Sequence, residues 1–311
     1  MLQHLCNMKT TWRKNSVTFL NLCHANQLLT DVQVRIKLKN TELMIKTRTY
    51  QCPQKFCKAW GVLIQKHLDT GRIQLLSSPY ASPAFIILKA DKTVLPQWVN
   101  DYRQLNTNTI TDAHPLPRVD DISADCAKGS IWSTIDMTDS FFQMRMHPDD
   151  VPLTAVTTPF GLYEWLIMPM GLWNAPVIHQ WRVSIALREY IGKICHVYLN
   201  NIVIWSNSIE EHHCNIRLIL TALRAAQLYC NPKKTKLYCT QINFLGHTIS
   251  QKGIEACDNI WTCGRALEPE YGLTDQYLLY LPCRPIFMLV YLNVHNHSNY
   301  VIYDSIILFM V

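Results

Sequence analysis

Cys195-His196-Val197-Tyr198-Leu199-Asn200-Asn201-Ile202-Val203-Ile204-Trp205 is the stretch that decides the fold. Two runs of apolar, β-branched and aromatic residues flank a short polar pair. Such runs favour extended backbone and Asn-Asn favours a tight turn, so the stretch reads as a β-hairpin. Its tip also carries chemical information. A pair of carboxylates there can hold divalent metal for phosphoryl transfer. Asn200 and Asn201 put two neutral amides in that place.

Working outward, residues 131–136 form an apolar run that ends in a carboxylate, Asp136. A helix is expected over about 175–190. A second is expected over 210–227, with Ile216, Leu220 and Leu223 on one face. Residues 165–168 precede a turn at 169–171, and 244–249 read as a last short strand. Towards the N-terminus, residues 84–88 are a compact apolar run, and Pro96 delays the next strand to near Trp98. A helix begins at Cys52, with Pro53 in its first turn. Trp60, Leu63, Ile64, His67 and Leu68 recur at helical spacing and Gly71 caps the end. Strands interleaved with helices, with no Gly-rich βαβ loop, point to an α+β fold.

The chain has 311 residues, 49% of them hydrophobic, enough to bury a real core. Its charge of +6, from 29 basic and 23 acidic residues, suits a nucleic-acid partner without requiring one. None of the twelve cysteines has Cys-x-x-Cys spacing, which argues against a zinc knuckle or ribbon. His212-His213-Cys214 falls on an expected helix, where adjacent side chains diverge and cannot converge on one ion. Residues 1–14 lack the apolar core of a secretory signal, and the longest apolar run, 286–292, is too short to span a bilayer. The expectation is a soluble, intracellular protein with free thiols and no membrane partner; oligomeric state is not legible. Residues 1 to about 40 are weakly patterned. No lysine follows Lys252, and 257–311 show no coherent amphipathic period.

Seven blocks stand in one order along the chain: Ser78-Pro79-Tyr80-Ala81-Ser82-Pro83-Ala84; Asn100-Asp101-Tyr102-Arg103-Gln104-Leu105-Asn106; His114-Pro115-Leu116-Pro117-Arg118; Thr134-Ile135-Asp136-Met137; Met168-Pro169-Met170-Gly171-Leu172 with Asn174-Ala175-Pro176; Tyr198-Leu199; and Phe244-Leu245-Gly246-His247. Together they resemble the reverse transcriptase domain of gypsy-type LTR retrotransposon polyproteins, the fungal branch especially, in a truncated and degenerate form. The resemblance covers about residues 52–255. It implies a right-hand polymerase: a palm with a ferredoxin-like antiparallel sheet and helices, plus fingers, with the thumb absent or incomplete. Residues 1–51 and 256–311 are then a poorly defined N-terminal segment and a divergent, aromatic-rich tail.

The resemblance also assigns roles. Asp136 corresponds to the first catalytic aspartate, a ligand of two Mg²⁺ ions. Phe141 matches the aromatic gate that excludes a 2′-hydroxyl. Lys89 stands where a basic residue covers the dNTP triphosphate, and Met170 and Gly171 form the floor under the nucleotide. Lys234 aligns with a lysine that protonates leaving pyrophosphate. Phe244, Leu245, Gly246 and His247 match the primer-grip hairpin that holds the RNA or DNA template-primer. The departures are as informative. The family has Asp at both 200 and 201. Gln97 stands where a second triphosphate-binding arginine is expected, and Trp173 and Trp181 replace small, polar or basic residues. The expected protein is thus an RNA-directed DNA polymerase that is inactive or nearly so. Asp120, Asp121, Asp139, Asp149 and Asp150 are near in sequence and are weighed as substitutes.

Three rival readings remain. Asp69-Thr70-Gly71 matches the aspartic-protease triplet, but its context favours a helix end capped by Gly71. Lys233, Lys234 and Lys236, with Arg72, Lys89, Lys92 and Arg103, suit a non-catalytic nucleic-acid-binding remnant. The unpatterned tail suits a decayed open reading frame.

Overall fold

The computed structural model describes residues 23–25, 28, 32–47, 49–75, 78–87 and 94–256, and the backbone of 276–281, 288–297 and 300–310. In chain order the strands are β1 (Gln33–Val34), β2 (Ile73–Leu75), β3 (Ser82–Ile87), β4 (Gln97–Asn100), β5 (Ile131–Asp136), β6 (Arg145–Met146), β7 (Val156–Thr158) and β8 (Gly161–Trp165). They continue with β9 (Cys195–Tyr198), β10 (Asn201–Ser206), β11 (Lys236–Cys239), β12 (Gln241–Phe244), β13 (His247–Ser250) and β14 (Gly253–Ala256). The α-helices are α1 (Cys57–Asp69), α2 (Arg103–Asn108), α3 (Val119–Cys126), α4 (Ala175–Ala186) and α5 (Ile209–Ala225).

The central sheet has the order β11-β5-β10-β9 and is antiparallel throughout. Alternation along β10 sends Ile202 and Ile204 to one face and Val203 and Trp205 to the other. On the first face they meet Ile135, Val183 and Leu187, and Ile216, Ile219, Leu220 and Leu223 of α5. On the second face Val203, Trp205 and Trp132 pack with Ile122 and Cys126 of α3, and with Ile242, Phe244, Leu245 and Ile249 from the β12–β13 hairpin. Both faces are covered, so this sheet is the rigid floor on which the 195–205 hairpin stands.

A second sheet, β2-β8-β7-β3-β4, holds the larger apolar core with Trp60, Leu63 and Ile64 of α1. Val34, Ile36 and Ile45 join this core, so residues inside the weakly patterned N-terminal segment are part of the folded unit. Helix α1 starts at Cys57 rather than Cys52, because Pro53 has extended backbone (ψ 137°) and leads a 3-10 turn, Gln54–Phe56. Its C-terminus confirms the capping reading of Asp69-Thr70-Gly71: Gly71 has φ +66°, its N–H donates to Leu68, and that of Arg72 donates to His67. These two bonds are a Schellman cap. Helix α5 starts at Ser208, whose side chain accepts from the Glu211 N–H.

Two sequence expectations need correction. The 244–249 strand is a hairpin, β12 to β13, with Leu245 and Gly246 at its turn, both with positive φ. Where no pattern was legible in the tail, three antiparallel strands are present: β15 (Gln276–Leu281), β16 (Met288–His297) and β17 (Tyr300–Met310). Among the described residues, no helix is long and apolar enough to cross a membrane.

Candidate active site

Asp136 is the last residue of β5, and Asn201, the first residue of β10, is its direct cross-strand partner. The antiparallel register therefore sets the side chain at 201 beside the carboxylate. The hairpin turn is not Asn200-Asn201. Tyr198 pairs with Asn201, so the two turn residues are Leu199 and Asn200. Leu199 carries the left-handed backbone, φ +51°. A side chain with that backbone costs roughly 1–2 kcal/mol.

Packing and one glutamine offset that strain. Leu199 is buried in a cluster with Tyr198, Phe244 and Leu245. Its N–H donates to Gln180 Oε1 at 2.7 Å, and Gln180 Nε2 donates to the Val197 carbonyl at 3.1 Å. Gln180 sits on α4 and is 1% exposed. It clamps the hairpin through backbone groups alone. Sequence reasoning missed it, since nothing about a glutamine on an amphipathic helix reveals which backbone it will meet.

At the tip, Asn201 Nδ2 donates to Asn200 Oδ1 at 3.1 Å. The Met137 N–H donates to the Asn200 carbonyl at 2.9 Å, and the Asn231 N–H donates to the Asp136 carbonyl at 2.7 Å. Asn231 Oδ1 in turn accepts from the N–H groups of Lys233 and Lys234. This turn brings Lys234 Nζ to 3.7 Å from Asp136 Oδ2. Burial raises the Asp136 carboxyl above the ordinary carboxylate value, and the Lys234 ammonium opposes the rise. Asp136, Asn200, Asn201 and Lys234 thus lie together in one cluster.

Phe141 lies in a 3-10 turn, Ser140–Gln143, edge-to-face on His179 with ring centroids 5.8 Å apart. His179 is fully buried and, among the described residues, neither ring nitrogen has a hydrogen-bond partner. Burial, then Arg182, push its pKa down to about 4; the Leu199 backbone is near enough to oppose the shift without forming a proper hydrogen bond. Gln143 ties this turn to Tyr229, donating to its carbonyl at 2.8 Å and accepting from its N–H at 2.9 Å.

Gln97, Met170 and Gly171 form a second group. Gln97 Nε2 is 4.0 Å from Met170 Sδ, Asn100 Nδ2 donates to the Met170 carbonyl at 3.2 Å, and Asn106 Nδ2 donates to the Gly171 carbonyl at 2.8 Å. Gly171 has φ +99°, and a Cβ there would lie 2.9 Å from the Asn100 carbonyl oxygen. Phe244 and Leu245 are buried against the 195–205 hairpin, while Gly246 forms the turn and His247 is half-buried at its end. Lys89 and Lys92 lie outside the described residues.

These donors do not fit a pair of Mg²⁺ ions. Magnesium takes an octahedral oxygen shell and draws its compensating charge from carboxylates. Here one carboxylate faces two amides and already has an ammonium as counter-ion. The candidate substitutes are engaged elsewhere. Asp139 pairs with the buried Arg72, which also donates to the Cys23 carbonyl. Asp150 accepts from Arg35 and from the Ile36 N–H, both at 2.8 Å, and Asp149 is an exposed neighbour of Arg35. Asp120 and Asp121 occupy the first turn of α3, where they complement the helix dipole. Among the described residues no group of three His, Cys, Asp or Glu could hold a metal ion. His212 instead bridges Ser133 and Ser206 in the core, at 2.7 and 2.8 Å.

The family model described as "Reverse transcriptase (RNA-dependent DNA polymerase)" matches residues 87–249. The chain belongs to the reverse transcriptase family. It is 36% identical over 220 residues to the retrovirus-related Pol polyprotein from transposon opus of Drosophila melanogaster, covering 70% of this chain and 22% of that protein. To the Pol polyprotein from transposon gypsy, also of Drosophila melanogaster, it is 30% identical over 231 residues, again 70% and 22%. To the enzymatic polyprotein of cauliflower mosaic virus (strain CM-1841) it is 32% identical over 222 residues, 71% and 32%. The chain therefore spans about a fifth of the length of the transposon polyproteins it matches. In fold it is similar to the foamy viral protease-reverse transcriptase solved with an RNA/DNA hybrid, with TM-score 0.69 and 19% identity over 84% of this chain and 38% of that one. The fold of this retrotransposon reverse transcriptase domain is thus α+β palm and fingers. These relatives come from an insect and a plant virus, so the fungal branch stays an expectation of the sequence.

Proposed function

We propose that this chain is the fingers and palm of a retrotransposon RNA-directed DNA polymerase whose nucleotide addition is impaired. Residues 52–255, with the N-terminal strands that share their core, make the unit that would hold an RNA or DNA template-primer and a dNTP. Phe141 would face the sugar, Gln97, Met170 and Gly171 would line the nucleotide, Lys89 would reach the triphosphate, and Phe244 to His247 would support the primer end. The observation that carries the impairment is the register that pairs Asn201 with Asp136, with Asn200 beside it. Each missing charge, about 4 Å from its partner, removes roughly 4 kcal/mol of interaction at an effective dielectric near 20, before counting the double charge of Mg²⁺. Loss of a single electrostatic stabiliser elsewhere lowers rates by roughly 10²–10³-fold, and a principal metal ligand matters more. The ancestral two-Mg²⁺ reaction is therefore expected to be nearly absent.

Primer extension on a primed template with Mg²⁺ and dNTPs tests this reading. The wild-type chain should yield no product where Asn200→Asp with Asn201→Asp gains it. Robust extension by the wild type would overturn the proposal. A second reading, a non-catalytic nucleic-acid binder, is favoured by the Lys233-Lys234 turn, which sets Lys234 beside Asp136, and by Lys236 opposite Thr134. It predicts salt-sensitive duplex binding without extension.

A further inference from the structure

Aspartates at 136, 200 and 201 would give this cleft three negative charges; the chain supplies one, at Asp136. That one already faces the Lys234 ammonium at 3.7 Å, which leaves the local charge near neutral. Hydrogen-bond donors surround the pair. Asn201 uses only one side-chain N–H on Asn200, whose own amide nitrogen supplies two more. The Lys234 side chain is 67% exposed and so has N–H groups to spare. Lys233 adjoins it in the turn that Asn231 holds, and exposed Lys236 opens β11 opposite Thr134, two residues before Asp136. The nearest alternative acid, Asp139, is committed to Arg72.

We infer that this cleft binds a polyphosphate chain directly, without a divalent cation, through the Lys234 ammonium and the Asn200 and Asn201 amide N–H groups. The inference rests on the impaired-polymerase reading and deepens it. A triphosphate entering among three carboxylates is repelled until cations intervene. Removing each carboxylate at roughly 5 Å relaxes that repulsion by about 10- to 100-fold in anion affinity after solvent screening. Free tripolyphosphate and the triphosphate of a nucleotide share this chemistry.

The test is calorimetric titration of the intact chain in EDTA, with inorganic tripolyphosphate in one arm and dATP in the other. Both are expected to bind the wild type, and excess Mg²⁺ should not tighten either. Equal affinity assigns recognition to the phosphates alone; tighter dATP adds a contribution from the nucleoside. Lys234→Met, on an exposed turn, should weaken metal-free binding by about tenfold or more. Asn200→Asp with Asn201→Asp should weaken it by about 100-fold and make binding depend on Mg²⁺. Thermal melts of each variant establish that it is folded. Wild-type binding that needs Mg²⁺, or metal-free binding unmoved by both variants, overturns the inference. The two proposals fail separately. Primer extension by the wild type sinks the impairment, whereas a non-extending wild type that ignores both anions in EDTA sinks only the metal-free site.

Discussion

Restoring the acids at the hairpin tip should make the fold itself depend on magnesium. In Asn200→Asp with Asn201→Asp, the new carboxylate at 201 stands directly across from Asp136. Cross-strand partners have Cβ atoms about 4.5–5.5 Å apart, and like charges so placed are destabilising. At about 5 Å and an effective dielectric near 20 the repulsion is roughly 3 kcal/mol. Lys234 lies within 3.7 Å of Asp136 and the side chain at 201 is half-buried, so the net cost is smaller, about 1–2 kcal/mol. For a domain of this size that lowers Tm by about 2–8 °C in EDTA. Magnesium at about ten times its dissociation constant should return about 1.4 kcal/mol. The assay is differential scanning fluorimetry of both proteins in EDTA and in Mg²⁺. The wild-type melt should ignore the ion and the variant melt should rise with it. Equal Mg²⁺ stabilisation of the two proteins would refute the reasoning, because it would mean that one carboxylate and two amides hold the ion as well as three carboxylates do.

Three further outcomes are expected. Burial pushes His67 down to about 3, and His179 and His212 down to about 4. All three stay neutral in the folded state while the unfolded chain takes up their protons near 6.5. Stability is thus full above pH 6.5 and falls as pH drops towards 4, by about 2 kcal/mol per histidine at pH 5; urea midpoints at pH 7 and 5 measure it, and equal midpoints would contradict it. Gln180→Ala strands the buried Leu199 N–H and Val197 carbonyl and should cost about 2–3 kcal/mol in chemical denaturation. Gly171→Ala drives a Cβ to 2.9 Å from the Asn100 carbonyl at φ +99° and should cost about 1–3 kcal/mol by the same measurement.

The central sheet was legible because its strands are short β-branched and aromatic runs bounded by turn signals, as befits strands covered on both faces. Ile202 and Ile204 against Val203 and Trp205 is the clearest case. The helices over 57–69 and 209–225 followed from their apolar stripes, and the first also from Gly71 at its end; the cap at Ser208 was not read from the sequence. The turn residues at the tip were misplaced by one position. Asn is the better left-handed residue, but Leu199 takes that backbone because burial and the Gln180 bond outweigh local preference. Period counting cannot see such a tertiary override. The cluster of Asp136, Asn200, Asn201 and Lys234 was readable through family resemblance. The roles of Gln180 and Gln143 were not, because each acts on backbone groups remote in sequence, and that of Asn231 was not, because its own N–H meets the distant Asp136 carbonyl while its side chain holds the Lys233-Lys234 turn. The tail strands escaped notice although 277–281, 288–292 and 306–310 are continuous apolar runs, because such a run does not by itself tell a buried strand from a buried helix.

Within the hairpin Gln180 grips main-chain atoms only, and that has a consequence for how the hairpin can change. That clamp enforces a backbone shape and, among the described residues, forms no hydrogen bond with the side chains at positions 200 and 201. The tip therefore behaves as an interchangeable cartridge: acids, amides or other small polar groups can be swapped in while the frame beneath stays the same. Abundance in the cell and chemical competence are then separate properties of this chain, and one can be lost while the other persists.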